Sequence, residues 1–387
     1  MLPYFIFLAV VLLLAYLSFM GNRPSKSFKK IRLVKSLKRN SPNRSVKRIK
    51  FKRNRLNKIF IVLLFLVMTC FAGFRSSVVG TDTGGYAGHF EDASFEDKDL
   101  GTGLAMLTEE PGFYYLEKVL SGLSNDYVWL LTGIAAVFCF FALRSISRNS
   151  AMPALSLFVF ITLGYYTFVF NAARQGLAMA IYMTAIPFLI QKRFWPYTLI
   201  VLCAAMFHKT IVVAIPLYFV FRMKYSWKSL VVVIGGGLLV GYQLPNILSF
   251  SSTLEDRYLL YTVGRATGGY MLTLFYVILA VFFVLQRRYI NKESLKRYDI
   301  FLHMLVVGSA IYIVVALTGS YVELTRFAAY FQVASIFLWA MLVRERRTPL
   351  SPLVYVVAII GHLGYFAIFL SQMANLTPYL WNPNLFS

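Results

Sequence analysis

Residues 1–20 read MLPYFIFLAVVLLLAYLSFM, and residues 21–58 read GNRPSKSFKKIRLVKSLKRNSPNRSVKRIKFKRNRLNK. The first stretch is an unbroken apolar run; the second holds 16 Lys or Arg and no carboxylate. A helix rising about 1.5 Å per residue needs roughly 20 residues to cross a hydrocarbon core ~30 Å thick. The first stretch is long enough to do so. A secretory signal would carry its basic residues before the apolar run and a small-residue cleavage site after it. Here the charge follows, so the expectation is an uncleaved first span with the N-terminus outside and the basic segment inside.

The same alternation continues along the chain. Of 387 residues, 58% are hydrophobic, 17% aromatic and 14% charged, with a mean hydropathy of +0.65. A soluble domain carries about 25% charged residues, so an all-α polytopic membrane protein is expected. Twelve spans are read near 2–20, 59–75, 127–143, 151–170, 175–190, 195–207, 210–221, 229–248, 271–285, 300–317, 327–343 and 352–370. Several are short for a full crossing, which implies tilted helices or helices that stop beside a cavity. Gly235, Gly236, Gly237 and Gly241 suit close helix packing. Cys70, Cys139 and Cys203 all fall inside apolar runs, which implies no disulfide framework. The organisation is a first helix over 1–21, a basic linker over 22–58 and a membrane domain over 59–387.

Lysine and arginine set the orientation. The loops at 22–58, 144–149, 191–194, 222–228, 286–299 and 344–351 hold 31 of the 39 basic and 3 of the 16 acidic residues. The opposite loops hold 8 basic and 13 acidic residues. The basic side is therefore read as cytoplasmic and both termini as outside. A net charge of +23 would otherwise invite nucleic acid as a partner; topology accounts for it instead. Within 22–58, Ile31, Val34 and Leu37 recur at helical spacing, so this segment is either a solvated linker or a basic amphipathic stretch on the anionic leaflet.

The outer loops carry the polar chemistry. Residues 76–126 hold ten carboxylates, mostly a solvated acidic stretch. Asp82 stands apart, in Arg75-Ser-Ser-Val-Val-Gly80-Thr81-Asp82-Thr83-Gly84-Gly85-Tyr86, just beyond the second span. It is either an Asx-turn residue or a carboxylate at the membrane surface that accepts a proton from an attacking sugar hydroxyl. Glu109-Glu110-Pro111 reads as a helix start. Phe113, Leu116, Val119, Leu120 and Leu123 then give that helix one apolar face for packing in the interface. Cationic residues recur on this side: Arg174 with Gln175 after Asn171, His208 and Lys209 at a junction with almost no loop, Arg257 and Arg265 around Tyr258 and Tyr261, and Arg326 after Glu323. Ionisable groups at membrane depth are costly and default to functional candidates, and guanidinium forks match phosphate oxygens. The blander readings are snorkelling for Arg174 and simple pairing with Glu323 for Arg326. No Cys/His spacing suits zinc and no Gly-rich nucleotide loop occurs, so neither a metal nor a cofactor is expected.

Gly80-Thr81-Asp82 with Tyr86 and Phe90, Glu110-Pro111-Gly112-Phe113, Arg174-Gln175-Gly176-Leu177-Ala178, Phe207-His208, Arg326 with Tyr330-Phe331, and Pro378-Tyr379 together resemble the EpsG family of exopolysaccharide proteins, over about residues 59–380. That family sits with the Wzy-like polymerases of O-antigen, capsule and exopolysaccharide pathways. The long basic segment 22–58 departs from its pattern. The resemblance implies a GT-C-like membrane glycosyltransferase fold in the bacterial plasma membrane, its active site facing the periplasm or exterior. The implied reaction joins undecaprenyl-diphosphate-linked repeats, with one lipid-linked glycan as donor and another as acceptor. Chain-length regulators, flippases and membrane lipids are implied partners. In that reading Arg174 and Arg326 stabilise the diphosphate, assisted by Lys209 or Arg265, while Asp82 or His208 takes the acceptor's proton. Thr81, Tyr86, Gln175, Arg257 and Tyr379 complete the substrate contacts. A flippase or transporter, an O-antigen ligase and a single-sugar glycosyltransferase are the competing functions; a transporter should place charge along a mid-bilayer path.

Overall fold

The computed structural model describes residues 1–19, 44–92, 110–236, 270–318, 325–345 and 351–383. Arg257, Arg265, Glu323 and the proposed amphipathic stretch around Val34 lie outside the described residues. Among the described residues the chain is helical throughout, apart from turns and one isolated antiparallel bridge between Arg75 and Trp381.

In chain order the helices are α1 (Leu2–Phe19), α2 (Arg44–Gly73), α3 (Thr83–Asp92), α4 (Pro111–Ser121), α5 (Tyr127–Asn149), α6 (Pro153–Thr162), α7 (Phe168–Asn171), α8 (Ala173–Met183), α9 (Ile186–Ile190), α10 (Phe194–Ala205), a 3₁₀ segment at Lys209–Val213, and α11 (Ala214–Phe221). They continue with α12 (Trp227–Gly236), α13 (Tyr270–Gln286), α14 (Lys292–Thr318), α15 (Thr325–Gln332), α16 (Ser335–Glu345) and α17 (Ser351–Gln372).

Among the described residues, seven helical stretches are long and apolar enough to cross a bilayer: those beginning at Leu2, Leu56, Tyr127, Tyr270, Lys292, Arg326 and Tyr355. Of the other stretches expected as spans, those at 151–170, 175–190, 195–207 and 210–221 are shorter or broken, while the one at 229–248, with Gly237 and Gly241, extends outside the described residues. The one read over 151–170 stops at Thr162, turns through Gly164 at φ +79° and resumes as the four-residue α7. The one read over 175–190 breaks between Met183 and Ile186, where Thr184 and Ala185 donate to Ile181 and Tyr182 in tight turns just before Pro187. Proline supplies no N–H and clashes with the preceding turn, so a continuous helix cannot run through it. Broken helices at membrane depth are tolerated where protein covers them, and α8 is buried over nearly its whole length.

Burial separates a centre from a rim. In the span beginning at Arg326, 83% of residues are buried; in that beginning at Tyr355, 17% are. The rim helices present Ile6, Leu13, Leu66, Met271, Ile278, Leu285, Val357 and Ile360 outward. Apolar area left in water costs about 25 cal/mol per Å², and a continuous belt of it marks a lipid-facing surface. The chain is a multi-pass membrane protein.

The two ends of the molecule differ in charge. At one end the basic loops meet: Arg297 donates to the Asn149 carbonyl, Arg344 to Ala151 at 2.9 Å, and Lys296 lies beside Lys192 and Arg222. At the other, the start of α1 and the segment after α17 close on residues 71–80. Tyr4 Oη donates to the Leu376 carbonyl at 2.7 Å, the Ser76 amide to Leu380 at 2.8 Å, the Gly80 amide to Asn375 at 2.8 Å and the Asn382 amide to Phe74 at 2.9 Å. Tyr379 stacks on Phe71 with centroids 4.4 Å apart, and Tyr4 meets both edge-on. The start of α1 and residues 375–382 thus lie together, at the end that also carries Asp82.

Candidate active site

Gly80 begins the site. Its φ is +101°, and a Cβ there would sit 2.5 Å from the Phe170 carbonyl, so only glycine lets this backbone lie against α7. The turn aims the Thr81 amide at Asn171 Oδ1, 2.8 Å away. Thr83 fixes the start of α3, with Oγ1 2.7 Å from the Val79 carbonyl and accepting from Arg75 Nη2 at 3.2 Å. Asp82 is left facing outward. Its Oδ1 accepts from the Thr81 hydroxyl at 2.8 Å and its Oδ2 from Arg326 Nη1 at 3.5 Å. Both side chains remain open, 33% and 41% exposed. The carboxylate therefore engages a cation from a helix 244 positions away.

Glu110 is the second carboxylate and sits differently. It caps α4 from a left-handed conformation, φ 53° and ψ 58°, and its side chain is 0% exposed. Oε1 lies 2.7 Å from His208 Nδ1 and accepts from the Lys209 amide at 3.3 Å; Oε2 accepts from Arg174 Nη1 at 3.2 Å. The corner that buries it is built by Gly112, whose amide donates to the Met206 carbonyl at 2.8 Å. A Cβ on Gly112 would meet Met206 at 3.0 Å and Phe207 at 3.1 Å. A buried carboxylate needs partners that pair or hydrogen-bond with it, and His208, the Lys209 amide and Arg174 supply them.

Arg174 and Tyr86 join the two carboxylates into one cluster. The Arg174 guanidinium rests over the Phe113 ring at 4.6 Å, and 35% of its side chain stays exposed. Tyr86 packs on the same ring with centroids 5.7 Å apart, hydrogen-bonds the Arg174 backbone and lies within electrostatic reach of both Asp82 and Glu110. Burial pushes its phenol above the usual range, against the lowering pull of Arg174, so it stays a neutral hydroxyl at physiological pH. Gln175 Nε2 donates to the Arg326 carbonyl at 2.7 Å, tying α8 to α15. The Thr210 and Tyr330 hydroxyls meet at 3.1 Å.

Thr81, Asp82, Tyr86, Arg174, Gln175, His208, Lys209 and Arg326 are thus brought together from sequence-distant stretches. Tyr379 is not among them: it is buried in the aromatic cluster, with its hydroxyl on the Phe71 carbonyl at 2.5 Å. Packing occupies both its ring and its hydroxyl, apart from the cluster around Asp82 and Glu110. Helix α4 packs through Phe113, Leu116, Glu117 and Leu120, while Val119 and Leu123 point outward, so its buried face is narrower than expected. Glu110 and Asn171 join the cluster although the sequence reading gave neither a role in the site. Glu110 read as a helix-start acid beside Glu109, and nothing local distinguishes a buried cap from a solvated one.

Searches against curated proteins and against solved structures return no match. The EpsG family model, however, matches residues 58–381, covering every described residue of this cluster. The chain belongs to the EpsG family.

Proposed function

We propose that this protein is a polysaccharide polymerase that joins undecaprenyl-diphosphate-linked oligosaccharide repeats at the outer face of the bacterial plasma membrane. The observation that carries this reading is the convergence of Arg174 and Arg326, both partly open, with Asp82 and His208 at the end of the molecule opposite the basic loops. Family membership is consistent with it. The acceptor's sugar hydroxyl attacks the anomeric carbon of the donor glycan, and undecaprenyl diphosphate leaves. Charge builds on the diphosphate oxygens, where Arg174 and Arg326 stabilise it with donors already held in place. Lys209 lies at the same corner. Asp82 or His208 takes the proton of the attacking hydroxyl.

A flippase reading fits less well. Among the described residues, the ion pairs of Glu110 and Asp82 lie at this end and that of Arg287 with Asp299 lies among the basic loops, at the two ends rather than along a path between them. The test replaces the chromosomal copy with Arg174→Ala and, separately, Arg326→Ala, and resolves lipid-bound glycans on a gel. Each change should lower the polymerisation rate about 10²- to 10³-fold and leave single lipid-linked repeats accumulating. Normal chain length in both strains would refute the assignment. Long unattached chains in a deletion strain would indicate a ligase instead, and precursors trapped on the cytoplasmic side a transporter.

A further inference from the structure

We infer that His208, not Asp82, takes the proton of the attacking hydroxyl, and that buried Glu110 is the positioning residue that fixes the His208 ring for that task; this rests on the polymerase reading above. The argument starts from what each carboxylate can reach. Glu110 is 0% exposed and cannot touch a substrate. Asp82 is open, but its two oxygens already accept from the Thr81 hydroxyl and from Arg326. His208 is partly exposed and has one nitrogen committed: Nδ1, 2.7 Å from Glu110 Oε1.

A carboxylate paired with Arg174 is an acceptor only. It therefore requires the proton of a neutral His208 ring to sit on Nδ1, which leaves a lone pair on Nε2. When the acceptor's O–H breaks, its proton moves to Nε2. The oxygen forms its bond to the anomeric carbon, and the pair of the old C–O bond departs with the diphosphate. Glu110, already in place, stabilises the imidazolium so formed. The same logic of a base held in one tautomer by a buried carboxylate recurs on unrelated folds. Here the carboxylate also holds Arg174 through its other oxygen at 3.2 Å, so one buried group sets the spacing between the base and a diphosphate-binding arginine.

The experiment uses the full chain in nanodiscs with ¹⁵N-labelled histidine. His208 signals are identified by their loss in His208→Gln, and its neutral tautomer is read from the nitrogen shifts. The expected result is a protonated Nδ1 and a bare Nε2, with that preference lost in Glu110→Gln. A wild-type ring protonated on Nε2 would overturn the proposal. In parallel, polymerisation of purified lipid-linked repeats is followed. Glu110→Gln should lower kcat about 10²- to 10⁴-fold with KM changed only a few-fold, and Glu110→Asp should recover part of the loss. The double variant Glu110→Gln/His208→Gln should be no slower than His208→Gln by more than about threefold, because residues acting as one unit are not additive. Multiplicative losses with His208, or a loss that appears in KM and overlaps with Arg174→Ala instead, would show that Glu110 serves the arginine alone and would overturn the proposal. A wild-type chain that makes no polymer would sink the functional reading, while the tautomer would still decide what Glu110 does to His208.

Discussion

Arg75 is buried at the seam between α2 and the site, donating to the Ala72 carbonyl and to Thr83 Oγ1, with its guanidinium 4.1 Å over the Phe170 ring. A lysine has one compact charged head and cannot bridge two acceptors while stacking flat. Arg75→Lys should therefore cost about 1–3 kcal/mol through lost charge-assisted bonds, seen as a lower unfolding temperature in detergent. Gly80→Ala confronts both a left-handed φ of +101° and a 2.5 Å approach to the Phe170 carbonyl. It should cost at least about 1–3 kcal/mol and also displace the adjoining Asp82, so that stability and polymerisation fall together; an unchanged melting curve would contradict this account. At this scale Asp82, Arg174, His208 and Arg326 were legible in the sequence, because a charge beside an apolar run is conspicuous. Glu110 was not, because its local sequence is that of any acidic helix start.

The segment after α17 behaves as a strap across the site end, tied by main-chain bonds at Asn375 and Leu380 and by the Tyr379 ring. Removing one buried hydroxyl partner typically costs about 1–2 kcal/mol, and deleting an aromatic ring about 3–5 kcal/mol. Tyr379→Phe should thus lower thermal stability slightly and Tyr379→Ala severely, with substrate KM unchanged in the fraction that remains folded. A raised KM at full stability would return Tyr379 to the substrate. The short elements were only half legible. Composition marks 151–170 and 175–190 as apolar, but the turns at Gly164 and before Pro187 make them broken helices, sheltered by neighbours that no local window contains.

For the molecule as a whole, the structure puts the residue cluster and the basic loops at opposite ends, and the positive-inside rule predicts that the basic end faces the cytoplasm. In a cysteine-free background, Val78→Cys, exposed at the site end, and Lys224→Cys, exposed among the basic loops, should react differently with a membrane-impermeant maleimide. Val78→Cys should label in intact spheroplasts and Lys224→Cys only after permeabilisation. The reverse pattern would put the site in the cytoplasm.

Hydropathy and charge add up along a chain, which is why the amino-acid order alone specified a helical membrane protein with one basic side and a polar, acidic other side. Which apolar stretches cross fully, and which stop inside, depended on packing. So did the character of the site. Glu110 and His208 stand 98 positions apart and meet at 2.7 Å only because Gly112 lets α4 settle onto the corner after α10. A carboxylate becomes a buried partner for a histidine and an arginine through what surrounds it, and those surroundings exist only once the helices have packed.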